Sequence, residues 1–256
     1  MIAIEPEVAM QFADHFSSQA AEYARFRPVY PPALFAWLAA IAPSCALAWD
    51  CATGSGQAAS ALVAHFERVV ASDASAAQLA QAAAHPRIEY CVAAAESPPP
   101  AARGADLMTV AQALHWFDLG RFYPAVRATL RPGGVVAVWG YGRTQISAKV
   151  DAVVGRYYQD VVGSYWPPER RHIENDYRDL PFPFAEIEAP RFAMSAAWTL
   201  DALLGYLDTW SASRRYLAAH GRHPLEQVER DLRAAWGPVR ERTVTWPLFL
   251  RAGRVT

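Results

Sequence analysis

Ala48-Trp49-Asp50-Cys51-Ala52-Thr53-Gly54-Ser55-Gly56-Gln57 is the stretch that decides the fold: an apolar segment runs into a turn of small residues and then into a run of helical spacing. Gly54 and Gly56 can take positive φ and present no side chain, so a ligand can approach the backbone there. A helix starting near Gln57 adds unbonded N–H groups at the same place. A Gly-x-Gly turn alone is also an ordinary strand-to-helix connection, and the residues around it decide between the two.

Asp73 lies 23 positions after Asp50, at the end of the next apolar run. There an acid in a nucleotide-binding strand–helix–strand unit accepts hydrogen bonds from ribose hydroxyls. It is equally placed to cap a helix over 74–84, and the two roles are compatible. Gly56 is followed by Gln57, Ala58 and Ala59, so the third glycine of a pyrophosphate loop is missing, and no Gly-Lys-Ser/Thr marks a P-loop. The pattern fits a nucleoside without phosphates and disfavours a nicotinamide-dependent dehydrogenase.

Outward from this segment, short apolar runs alternate with Ala/Leu-rich stretches, the mark of a parallel sheet with helices on both faces. Strands are predicted over 46–50, 68–72, 88–92, 105–111 and 135–139, and helices over 57–66, 74–84 and 118–130, the last capped by Asp118. Past Tyr141 the rhythm breaks. Residues 147–162 read as helical, 164–184 as an irregular lid with four prolines, 200–217 and 224–236 as helices, and 242–250 as a late strand. Residues 1–45 read as an N-terminal helical cap, with two helices flanking Arg27-Pro28-Val29-Tyr30-Pro31-Pro32. The division expected is one domain, 1–256: cap 1–45, cofactor core 46–141, and lid plus closing elements 142–256.

The composition allows this. A chain of 256 residues, 53% hydrophobic and 19% charged, can fill one large core. Net charge is −1, split as −3 before Tyr141 (8 Arg against 11 acids) and +2 after Gly140 (16 Lys and Arg against 14 acids). Neither half carries the clustered positive charge that nucleic acid demands. Three cysteines without a Cys-x-x-Cys pair suggest neither a disulfide framework nor zinc. The N-terminus lacks a signal-peptide pattern and no apolar run is long enough to span a bilayer, so a cytoplasmic protein away from membranes is expected.

Asp50-x-Ala52-x-Gly54-x-Gly56 resembles the first motif of class I S-adenosylmethionine-dependent methyltransferases, with Ala52 where the family usually has its first glycine. The resemblance runs on through Asp73, Ala94-Ala95-Glu96-Ser97, the stretch Asp106 to Asp118 and Leu130-Arg131-Pro132-Gly133-Gly134, covering roughly 12–140. Tyr23-x-x-Phe26-Arg27-Pro28-x-Tyr30-Pro31 and His115-Trp116-Phe117-Asp118 are similar to a branch that includes trans-aconitate methyltransferase-like enzymes. The resemblance implies a Rossmann-like, doubly wound, mainly parallel seven-stranded sheet and S-adenosylmethionine as cofactor. It also implies a site in which Asp50, Ala52, Thr53, Gly54 and Gly56 line the methionine and ribose portions, and Asp73 with Ala74 meets the ribose. Gln112 would face the methionine end. Ala94 stands where many relatives place an acid for the adenine amino group, which leaves backbone groups, Ala95 and Glu96 for adenine.

On the acceptor side, His115 sits where the family builds the wall between cofactor and acceptor, and an imidazole near its free pKa can take a proton. Packing beside Trp116 and Phe117 is the alternative. Tyr23 and Arg27 could close over the cofactor or fix a turn, and Tyr141 and Arg143 follow the fifth strand, at the sheet edge where such folds bind ligands. Arg143 could anchor an acid or stay solvated. Trp198, Tyr206 and Trp210 read as core, and Arg170-Arg171 as a basic surface pair that could also attract an acid. The expected activity is methylation of a small molecule at a carboxylate or hydroxyl oxygen, without nucleic acid, membrane or metal, by a monomer or homodimer. A nitrogen or carbon acceptor, or non-catalytic cofactor binding, are the alternatives.

Overall fold

The computed structural model describes residues 28–256. The first predicted cap helix, Tyr23 and Arg27 therefore lie outside the described residues. The second cap helix is α1 (Pro32–Ile41), which opens on a proline at its first position.

Strand β1 (Leu47–Cys51) carries the apolar run around Trp49 and is buried on both faces, as a central parallel strand requires. It pairs in parallel with β2 (Arg68–Asp73) on one side and β4 (Ala105–Ala111) on the other. Beyond these lie β3 (Ile88–Val92), next to β2, and β5 (Leu130–Tyr141), next to β4, both parallel as well. The chain leaves β1 toward one edge and returns to β4 on the other side. The carboxyl ends of β1 and β4 thus form the switch point at which open α/β sheets receive ligands.

Alternation along the strands divides the core. Leu107, Val135, Ala137 and Trp139 face α1 and α2 (Gln57–Leu62). Met108, Val110, Val136 and Val138 face α4 (Leu119–Thr129). At the far edge of the sheet, away from the switch point, buried Asp106 accepts from the N–H groups of Ala46 (3.0 Å) and Leu47 (2.9 Å) and from Arg131 (3.1 Å). That acid locks the strand ends and leaves the opposite edge for function.

The remaining elements are α5 (Ala148–Arg156), continued by a π-helical turn over Tyr157–Val161, then α6 (Arg170–Glu174), β6 (Ala185–Ile187), β7 (Phe192–Trp198), α7 (Leu200–Asp208), α8 (Ser211–His220), α9 (Glu229–Trp236) and β8 (Arg242–Arg254). β8 runs antiparallel to β5, from Val135↔Arg254 to Tyr141↔Leu248. Its other edge pairs with β6 near its end and with β7 over most of its length. The sheet therefore has eight strands in seven positions, the last position shared by β6 and β7. The expected seven-stranded count misses this division.

Four local expectations need correction. The Ala-rich stretch 74–84 forms only α3 (Ala76–Leu79), capped by Ser75 and not by Asp73. None of its side chains is buried, so nothing offsets the cost of nucleation. The predicted helix 200–217 is two helices, broken where Trp210 turns extended and Thr209 Oγ1 bonds back to the Tyr206 carbonyl. The strand predicted over 135–139 starts at Leu130, and the irregular lid contains α6. Trp198, Tyr206 and Trp210 do enter the core, in an aromatic cluster with Trp246 (Trp198–Trp246 ring centroids 4.7 Å apart).

Candidate active site

The loop after β1 has Ala52, Gly54 and Gly56 at φ of 54°, 58° and 82°. This left-handed backbone costs an alanine about 1–2 kcal/mol, a cost that a glycine at position 52 would not carry. Thr53 donates its N–H to the Ser72 carbonyl (2.9 Å), and Gly56 donates to Thr53 (3.0 Å). Gly54 donates its N–H to Asp73 Oδ2 (2.8 Å), while Asp73 Oδ1 accepts from the Ser75 N–H (2.8 Å). Each Asp73 oxygen thus accepts from a backbone N–H. It is 8% exposed, at the rim of the loop.

Asp50 occupies a different level. It is 1% exposed, with one oxygen taking Thr53 Oγ1 (2.5 Å) and the other Thr109 Oγ1 (2.7 Å). Burial pushes its pKa up to about 6, against the pull of Thr53, Thr109 and the Ala59 N–H. Asp50 is thus set beneath the loop, which it ties to β4.

Burial, followed by the charges of Asp50, Asp73 and Glu96, pushes the Cys51 thiol well above its usual range. These three carboxylates converge on the end of β1, and no Lys or Arg occurs between Leu47 and Glu67. A pyrophosphate would meet no cation from this loop or the helix after it. S-adenosylmethionine, a nucleoside with a sulfonium and no phosphate, suits the donor set. Among the described residues, a Cβ on Gly54 would meet only Gln78 Oε1, at 3.8 Å.

The next wall comes from β4. Gln112 is itself left-handed (φ 58°), donates its N–H to the Trp139 carbonyl (2.8 Å) and its side-chain amide to the Tyr141 carbonyl (3.0 Å). This brings Gln112 and Tyr141 together at the ends of neighbouring strands. Glu96 accepts from the Asp118 N–H (2.9 Å), and Asp118 caps α4 through the N–H groups of Gly120 and Arg121. Glu96 therefore braces the 112–118 loop. Ala95 is buried beneath it and Ala74 is exposed beyond Asp73.

His115 projects from this loop beside Trp116 (ring centroids 4.7 Å apart), and its Nδ1 lies 2.8 Å from the hydroxyl of Tyr177. Burial first, then the charges of Arg170 and His172, lower the His115 pKa to about 3. The imidazole is neutral at physiological pH. Arg143 is exposed and stacks on Tyr158 (5.7 Å), as does Arg170 (5.6 Å), which also covers Trp166 (4.7 Å). Tyr177 is a neighbour of His115 that the sequence reading did not select, and Arg170, read there only as one of a surface pair, acts on His115 electrostatically. Tyr177 lies 62 positions from His115 and carries no motif.

Among the described residues, no group of three or more His, Cys, Asp or Glu could hold a metal ion, and no helix is long and apolar enough to cross a membrane. Residues 49–138 match the methyltransferase domain family. A Dictyostelium discoideum protein described as a methyltransferase is 31% identical over 230 residues, 88% of each chain. An uncharacterized methyltransferase of Mycobacterium tuberculosis is 31% identical over 202 residues, 78% of this chain and 76% of that one. A solved structure from Anaeromyxobacter dehalogenans, described as a type II methyltransferase, superposes with a TM-score of 0.82 at 50% identity, covering 90% of this chain and 98% of that one.

Proposed function

The chain belongs to the class I S-adenosylmethionine-dependent methyltransferases, and on that premise we propose that it methylates a small-molecule acceptor at oxygen, a carboxylate or hydroxyl group. When bound, the cofactor supplies a methyl group on cationic sulfur, activated for in-line displacement. The chain's own contribution is to hold, orient and exclude water. Asp73 and the backbone around Gly54 would hold the ribose. Gln112 would border the methionine end, and Ala95 and Glu96 the adenine. Asp50, through Thr53 and Thr109, keeps the loop in shape. His115, Trp116, Tyr141 and Arg143 are assigned to the acceptor side.

One observation carries the oxygen reading: the charge changes sign across the site. Asp50, Asp73 and Glu96 gather at the end of β1, whereas Arg143 and Arg170 meet over Tyr158 on the lid side. Neither arginine forms an ion pair among the described residues. A cationic cofactor suits the first half and an acceptor bearing an acid or acidic oxygen suits the second, while an amine does not. The net charge of −1 favours a small acceptor over nucleic acid. Three free cysteines support a reducing, cytoplasmic setting, and a monomer or homodimer is proposed.

The test is mass spectrometry of products from S-adenosylmethionine and a metabolite panel of acids, alcohols, phenols and amines. O-methyl products are expected. Methylation confined to nitrogen or carbon would overturn the oxygen reading, and cofactor binding without turnover on any acceptor would mark a binding protein.

A further inference from the structure

Asp176 and Tyr177 are two consecutive non-glycine residues in the left-handed region, at φ of 53° and 58°. The surroundings hold them there. The Tyr177 N–H donates to the His172 carbonyl (2.8 Å), and Arg251 of β8 donates to the Tyr177 and Leu180 carbonyls (3.1 and 3.0 Å). The ring packs edge-on to Phe249 (4.9 Å) and is fully buried. Such strain persists where the rest of the structure over-determines it, and here its result is a phenol hydroxyl aimed at His115 Nδ1, 2.8 Å away.

One proton lies in that contact. Burial pushes the Tyr177 hydroxyl far above its usual range, so it keeps its proton. His115 Nδ1 is the hydroxyl's only hydrogen-bond partner among the described residues, and a fully buried O–H that did not donate to it would go unsatisfied, so its hydrogen is directed to Nδ1. A neutral imidazole that accepts at Nδ1 carries its own hydrogen on Nε2. Nε2 has no hydrogen-bond partner among the described residues.

We propose that His115 acts as a fixed Nε2–H donor to an acceptor oxygen that arrives already ionised, a carboxylate, and that Tyr177 is the positioning residue that sets this tautomer. This rests on the reading of the site as an oxygen methyltransferase and narrows it, because an alcohol would need a base that a protonated Nε2 cannot be. In the transfer, the carboxylate oxygen supplies the electron pair of the new O–CH3 bond, the CH3–S bond returns its pair to sulfur, and no proton has to leave. Arg170, stacked on Trp166 and Tyr158 within electrostatic reach of His115, adds positive charge beside such an anion.

Nitrogen-15 histidine NMR on the full chain reads the tautomer without turnover. The expected result is His115 with hydrogen on Nε2, in about fivefold or greater excess, moving toward equal populations in Tyr177→Phe. Titration with succinate as a carboxylate probe should shift the Nε2–H signal. His115→Gln, which keeps an N–H donor, should retain succinate binding within about threefold, whereas His115→Leu should lose about tenfold. A His115 with hydrogen on Nδ1, or an Nε2 signal indifferent to succinate, overturns the proposal. The acceptor panel tests the earlier reading separately: the tautomer can stand as expected while the panel returns only amines.

Discussion

Asp50→Asn isolates the cost of keeping a charge beneath the glycine loop. The carboxyl titrates near 3.8 in an unfolded chain and at about 6 in the folded protein, with burial the dominant cause. A folded pKa above the unfolded one means that stability is fully present below about pH 4 and is lost as pH rises through 6. Two units correspond to about 3 kcal/mol by pH 8. Asparagine has nearly the same shape and does not titrate, and the Thr53 and Thr109 hydroxyls can rotate so that one of them accepts from its amide. Near pH 4 the folded carboxyl is already neutral, and exchanging it for an amide that matches the two hydroxyls less well costs about 1 kcal/mol. The variant should therefore be about 1 kcal/mol less stable than the parent near pH 4 and about 2 kcal/mol more stable near pH 8. Urea unfolding of both proteins across this range, followed by tryptophan fluorescence, gives the difference directly and cancels every other titrating group. A difference that stays flat, or that turns against the variant as pH rises, would refute the reasoning, since it would mean that the three donors outweigh burial.

Ala52→Gly relieves a left-handed alanine but loosens the unfolded chain, and the net gain should be about 0.5–1 kcal/mol, a rise of a few degrees in Tm; no rise would count against strain at φ 54°. Gly56→Ala places a Cβ 2.6 Å from the Tyr90 hydroxyl at φ 82°. It should cost about 2–3 kcal/mol in denaturant unfolding, with the steric part recovered when Tyr90 is also truncated. Asp73→Ala should weaken S-adenosylmethionine binding, measured by calorimetry, by about 1–3 kcal/mol, and an unchanged Kd would remove Asp73 from the site.

What could be read from the sequence followed from how local its cause is. The run Trp49 to Gly56 encodes its own structure, since apolar residues buried on both sides and positive-φ glycines need no distant partner to be recognised. Asp118 as a helix cap is similarly local. The strands β6 and β7 were not legible, because the partner that makes them strands, β8, begins only at Arg242 and β6 has three residues. The Ala-rich stretch after Asp73 has helical propensity but no apolar face to bury, and propensity alone sustained one turn. At the site, sequence spacing brought Asp50, Gly54 and Asp73 into one neighbourhood but could not rank their depths. That Asp50 lies under the loop depends on Thr109, 59 positions away. His115 was legible as a position and not as a chemical species, because its proton is set by Tyr177 and its basicity chiefly by burial.

β8 also bears on how the protein is made. Translation delivers residues 242–254 after every other described strand, yet they pair β5 on one edge and both β6 and β7 on the other. Until they emerge, a nascent chain can assemble the five parallel strands and the glycine loop while the outer edge of β5 stays bare, from Val135 to Tyr141. A bare edge of this kind is a template for pairing with a second chain. Arg251 arrives in the same segment, so the turn that presents Tyr177 to His115 gains its clamp only then. A partly synthesised polypeptide thus carries the glycine loop before the contact between Tyr177 and His115 is clamped.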